Sequence, residues 1–335
     1  MFNKKTVFIL GAGSSAEFGM PTGEKLKSEI AALLAPGQGE EPIRFKEVLR
    51  RQNKNWPELM AAGSHVAAAL PSFLSIDEAL HYLSDDPNAV FVGKHAIAYS
   101  LLRHEAASKV GFDHNGRVNP SRWGNTWLSE FLSVALSFAR RQEADELFSN
   151  VTVINFNYDR VLEQYLVHAL QHVGRLTKGR AETLTERLKV VRPYGSLGRL
   201  PWQAHQARDL PLIEFGLDNI DNSNLAAVSA GLMTYTEQAH EPEKMQEISN
   251  AMHTAEVIIA IGFGFHQQNM TLLKSAVDIG NRTTMVTAAG IDKENHSILV
   301  DQLREFFRCG RVGVFDKRGY EFMSHLRPII SAAVS

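Results

Sequence analysis

Residues 6–21 read TVFILGAGSSAEFGMP, an apolar, β-branched run that empties into Gly-x-Gly. A short apolar run without alternation is the pattern of a strand covered on both faces, as in a parallel sheet. Behind it, Gly11 permits a tight turn. Gly13 lets backbone N–H groups approach a pyrophosphate, while a helix opening near Ser14 and Ser15 aims its positive end at the anion. The spacing is Gly-x-Gly-x-x-Ala, with Ala16 third. Strand, glycine turn and helix in that order open a nucleotide-binding α/β unit; a purely structural tight turn is the alternative.

Working outward, Val151–Asn155 (VTVIN) and Val257–Ile261 (VIIAI) repeat the same apolar, β-branched pattern. Weaker runs stand at 284–287 (TMVT), 188–191 (LKVV) and 311–315 (RVGVF), the last interrupted by Gly313. Helical patterns separate them, and this alternation predicts an α/β fold, a Rossmann-like doubly wound parallel sheet. Residues 11–150 are too many for an ordinary crossover. They hold helical patterns at Lys25–Leu34, Ile76–Leu83, His95–Ala107 and Thr126–Ala139, with Ser75 and Glu78 spaced as a capping box. The expectation is one domain over 1–335 with a helical insertion over 25–145. Residues 36–42 (PGQGEEP) and 113–120 (DHNGRVNP) read as exposed loops.

The 335 residues are 44% apolar and 21% charged, ordinary for a globular protein. A formal charge of −2 argues against direct nucleic-acid binding. A lone cysteine, Cys309, rules out an intrachain disulfide and a cysteine zinc cluster, and is expected as a small buried hydrophobe. His168 and His172 have His-x-x-x-His spacing, but Ala169 stands where a zinc protease needs Glu, so no metal is expected. The apolar run after MFNKK is too short for a signal peptide, and no stretch approaches the ~18 apolar residues of a membrane span. A cytoplasmic protein is the expectation. Arg103 and Glu105 read as members of a solvated helical face.

A hydride-transfer enzyme would need an acidic residue ~20 positions after the glycines, at the end of a second strand. Glu29 lies instead in a helical pattern with no strand before it. Three later stretches carry more: 155-NFNYD-159, 192-RPYGSLG-198 and 261-IGFGFHQQN-269. With GAGSSAEFGMP they resemble the sirtuin motifs, in family order. Gly11, Ala12, Gly13, Ser15, Gly19 and Pro21 fall on the Gly-Ala-Gly-x-Ser and Gly-Ile-Pro positions. Asn157 and Asp159 fall on the Asn and Asp of Gln-Asn-Ile-Asp. Gly195 follows the position of the family histidine, which here is Tyr194. Gly262, Phe263 and Gly264, followed by His266, match a later nucleotide-facing turn.

MPTG, SIDEAL, GKHAIAYSLLRHE, FNYDRVLE and GFGFHQQN make the chain similar to bacterial sirtuin-like proteins, several of which consume NAD in antiphage defence. The resemblance implies NAD as substrate, hydrolysed to nicotinamide and ADP-ribose, with no metal. It also implies a homo-oligomer and a separately encoded defence partner. Asn157, Tyr194 and Asp159 become the catalytic candidates. The family's zinc cysteines and its Asp-Phe-Arg are missing, Thr22-Gly23-Glu24 standing in place of the latter. A protein deacylase therefore ranks last. Tyrosine, with an ordinary pKa near ~10, is a poor base, so a catalytically inactive NAD or ADP-ribose sensor is the second reading.

Overall fold

A computed structural model describes residues 2–37, 39–50, 55–137, 141–204, 210–217, 219–238, 241–274 and 279–335. Six strands form one parallel sheet: β1 (Thr6–Leu10), β2 (Val151–Asn155), β3 (Lys189–Val191), β4 (Val257–Ile261), β5 (Ile279–Thr287) and β6 (Cys309–Phe315). Their order is β3-β2-β1-β4-β5-β6, the doubly wound order in which the chain direction across the sheet reverses beside β1. Every residue of β1 and β4 is buried, as expected of central strands covered by helices on both faces.

The outer strands differ from the sequence reading in length. β5 begins at Ile279, earlier than TMVT. Its Arg282 is fully buried and donates to the carbonyls of Met252 (2.6 Å), His253, Ala255 and Phe307. These carbonyls close the helices Pro242–Thr254 and His296–Phe307, so two negative helix ends compensate one buried cation. β6 tolerates Gly313 because it pairs on the side of β5 alone.

Between β1 and β2 the described chain is mainly helical: Gly23–Leu34, Glu40–Arg50, Trp56–Ala69, Ile76–Tyr82, Pro87–Ala107 and Trp127–Leu136. The expected loop at 36–42 gives way to helix at Glu40. Pro42 lies in the first turn, where a missing N–H costs nothing. The helix expected at His95 starts at Pro87, where Asp86 accepts from the N–H groups of Asn88 and Ala89. Ser75 caps the Ile76–Tyr82 helix by accepting from Glu78 N–H at 3.1 Å. The reciprocal arm reaches one residue further than a capping box requires, Glu78 accepting from Leu74 N–H at 2.7 Å. Gly93 lets these two helices close, since a Cβ there would sit 2.4 Å from Leu80 Cδ2. Among the described residues no single helix is long and apolar enough to cross a membrane.

Candidate functional site

Sheet register builds the site. Leu10 pairs with Asn155 on one side and Ile261 on the other, so residues 11, 156 and 262 leave the sheet together. This is the C-terminal edge at the point where strand order reverses, the place where open α/β sheets bind ligands. Gly11 N–H donates to Ile261 O at 3.1 Å, Gly13 N–H to Gly262 O at 3.0 Å and Gly262 N–H to Thr287 Oγ1 at 2.8 Å. The two glycine turns touch backbone to backbone: a Cβ on Gly13 would stand 2.7 Å from Gly262 Cα, and one on Gly262 would stand 2.1 Å from Ser14 N. Gly262 also has φ +60. The bareness of Gly13, read from sequence as room for a pyrophosphate, thus has a cause inside the protein.

Asn157 is the centre of the polar network. Its Nδ2 donates to Gly11 O (3.0 Å), Ser14 Oγ (3.1 Å) and Ser15 Oγ (3.1 Å). Ser14 hands its own proton to Gly11 O at 2.7 Å, and Ser15 hands its proton to Asp159 Oδ1 at 3.0 Å. Both hydroxyls must therefore accept from Asn157, and the carbonyl of Gly11 can only accept. This fixes the amide orientation: nitrogen toward the glycine turn, Oδ1 away from it. The donor side of this catalytic candidate is spent within the protein. Asn155 Oδ1 and Arg192 hold the backbone of Asn157, accepting its N–H at 3.0 Å and donating to its carbonyl at 2.6 Å respectively.

Asp159 faces inward. It accepts from Ser15 and from Val161 N–H, and burial raises its carboxyl to about 6 against the opposing pull of Arg192. Its neighbours are paired. Arg192 bridges both oxygens of Glu163 at 2.8 Å. Arg160 reaches Glu105 at 2.5 Å and donates to the carbonyls of Ile213 and Glu214. Glu105 is 0% exposed and Arg160 1%. The solvated face expected for Glu105 is therefore wrong; the residue turns into the protein and also accepts Arg160 N–H at 2.8 Å. Arg103 does stay half-exposed, paired with Glu41.

Tyr194 is buried, and its hydroxyl donates to Asn269 Oδ1 at 2.6 Å. Burial drives its pKa well above the ordinary tyrosine value, so it is no base at neutral pH. Its ring belongs to a wall of aromatics: Phe156 lies 5.8 Å from Tyr194 and 5.0 Å from Phe263, and Phe265 lies 5.2 Å from Phe263. Gly195 turns with φ +79 against the Gly231 carbonyl, which a Cβ would meet at 2.1 Å. His266 precedes the Gln267–Leu272 helix, its ring folded against Gly264.

The structure thus brings Gly11, Gly13, Ser15, Asn157, Asp159 and Gly262 into one cluster, with Ala12 opening the helix Ala12–Ala16 beside them. Tyr194 and Phe263 join through Phe156. Gly19 (φ +98) and buried Pro21 lie one turn on, where Gly19 faces Ser108. Sequence reasoning missed Ser14, Arg192 and Trp127, whose indole donates to Ser14 O at 2.8 Å. The second serine of GAGSS was the available signal for the first. Nothing local marks the other two. It also missed Asp77, which accepts from Tyr158 Oη. Among the described residues, no group of three or more His, Cys, Asp or Glu is placed to hold a metal.

The chain matches no protein-family model and no curated protein sequence. Among solved structures it is similar to the crystal structure of a Sir2 homolog–NAD complex, with 14% identity and a TM-score of 0.46 over 99% of this chain and 92% of that one.

Proposed function

We propose that this protein binds NAD at the switch-point crevice and hydrolyses it to nicotinamide and ADP-ribose. The observation that carries the reading is the anchored carboxamide of Asn157. Its nitrogen is consumed by Gly11, Ser14 and Ser15, which leaves one fixed acceptor at the edge where β1, β2 and β4 end. A fixed acceptor can orient a ribose hydroxyl or an attacking water without reorganising during the reaction. Breaking the nicotinamide bond expels a neutral leaving group from a cationic ring, so the chemistry asks more for positioning and charge stabilisation than for a strong base. Asp159, buried behind Ser15, supports the network, and Gly11–Ser15 with Gly262–Gly264 would face the nucleotide.

The antiphage role, with a homo-oligomer and a separately encoded trigger, rests on the sequence resemblance alone. Uncontrolled NAD loss would harm the host, so an activation step belongs to that proposal. A second reading is a module that binds NAD or ADP-ribose without turnover, and the occupied, buried hydroxyl of Tyr194 favours it. A protein deacylase stays third.

Incubation of the purified chain with NAD separates these. The hydrolytic reading expects nicotinamide and ADP-ribose in equal amounts. Bound but intact NAD would move the assignment to the second reading.

A further inference from the structure

Tyr158, inside the NFNYD stretch, sends its hydroxyl across to the helical segment between β1 and β2. It donates to Asp77 Oδ1 at 2.5 Å, with Met233 O at 3.3 Å. Asp77 stands half-buried in the first turn of the Ile76–Tyr82 helix. The Tyr158 ring stands 6.5 Å from that of Tyr194, and Met233, whose carbonyl lies against the Tyr158 hydroxyl, donates its N–H to Tyr194 O at 2.9 Å. One carboxylate is therefore tied to the NFNYD loop where that loop packs beside RPYG.

The other acids nearby are engaged. Glu105 is bound by Arg160 and Glu163 by Arg192. Glu237 is held by Lys94 and Thr234 N–H, and Asp159 is enclosed by Ser15 and Val161. Asp77, by contrast, is bonded to a neutral hydroxyl and forms no ion pair among the described residues. Burial raises its carboxyl above the ordinary range, which brings a carboxylate closer to the strength useful at neutral pH.

We infer that Asp77, oriented by Tyr158, is a catalytic residue that takes the proton of the water attacking NAD. It supplies from a separate helix the base that Tyr194 cannot provide. The inference rests on the hydrolytic reading above. In the step, a water lone pair forms the new bond to the ribose carbon as the bond to the nicotinamide nitrogen breaks. That electron pair leaves with neutral nicotinamide. The water proton passes to the Asp77 carboxylate and then to solvent.

The test uses the full chain, with NAD affinity by calorimetry and nicotinamide release measured separately. Asp77→Asn keeps the shape and an acceptor for Tyr158. It is expected to bind NAD within about twofold of the parent, melt with it, and release nicotinamide about 100-fold or more slowly. In Asp77→Ala, added formate should restore release by about tenfold, and should do nothing for Asn157→Ala. A parent rate in Asp77→Asn, joint loss of affinity and rate, or no formate rescue each overturns the assignment and leaves hydrolysis standing. A parent that releases no nicotinamide overturns both.

Discussion

Asp159 shows most sharply what a single residue's surroundings decide. From sequence it was a catalytic candidate in a motif; in the structure it is a carboxyl pushed to about 6, chiefly by burial. An acid whose folded pKa lies above its unfolded value binds its proton more tightly when folded. Its contribution to stability is therefore most favourable at low pH and falls as pH rises from about 4 to 6. Two pKa units correspond to ~3 kcal/mol as an order of magnitude. Asp159→Asn removes this titration while keeping an acceptor for Ser15. Urea unfolding of both proteins at pH 4.5 and pH 7.5 should show the variant gaining on the parent by roughly 2 kcal/mol at the higher pH. An identical difference at both pH values would contradict the assignment. Asn157 teaches the same lesson: the sequence names the amide, but only Ser14 and Ser15 decide which end it presents.

At the scale of elements, the helical segment is fastened to the NFNYD loop by Glu105 and Arg160 rather than by apolar contact alone. The carboxylate receives the backbone N–H, Nε and Nη2 of Arg160 and also Gly216 N–H. Removing one member of such a buried pair leaves an uncompensated charge and costs about 3–5 kcal/mol. Glu105→Ala should lose that much in chemical denaturation, and Glu105→Ala with Arg160→Ala should lose less than the sum of the singles. Additive losses would mean the two do not act as a pair. This element-scale link was invisible in the sequence, because RHEAA carries no sign of its distant partner and helical charges are usually solvated. The strands were more legible. β1, β2 and β4 begin and end where their β-branched, mainly apolar runs do, since a strand covered on both faces has little room for alternating polar residues. β5 extends past its apolar part because helix ends neutralise Arg282, and Glu40–Arg50 was hidden behind Pro and Gly that its first turn accommodates.

Across the whole molecule, the sheet order β3-β2-β1-β4-β5-β6 turns four stretches scattered over residues 11–269 into one neighbourhood. Alternation of strands and helices made this topology readable, and the shared C-terminal edge followed from it. The inward-facing details were not readable: the mutual packing of Gly13 and Gly262, the engaged hydroxyl of Tyr194, and the reach of Asp77. The central claim is that the fixed acceptor of Asn157 promotes cleavage of bound NAD. The most direct measurement is single-turnover nicotinamide release from Asn157→Ala and the parent, with both saturated by NAD as verified by calorimetry. Loss of a positioning group predicts release slowed by a factor on the order of 100 or more with most of the affinity retained. Release from saturated Asn157→Ala at the parent's rate would contradict it.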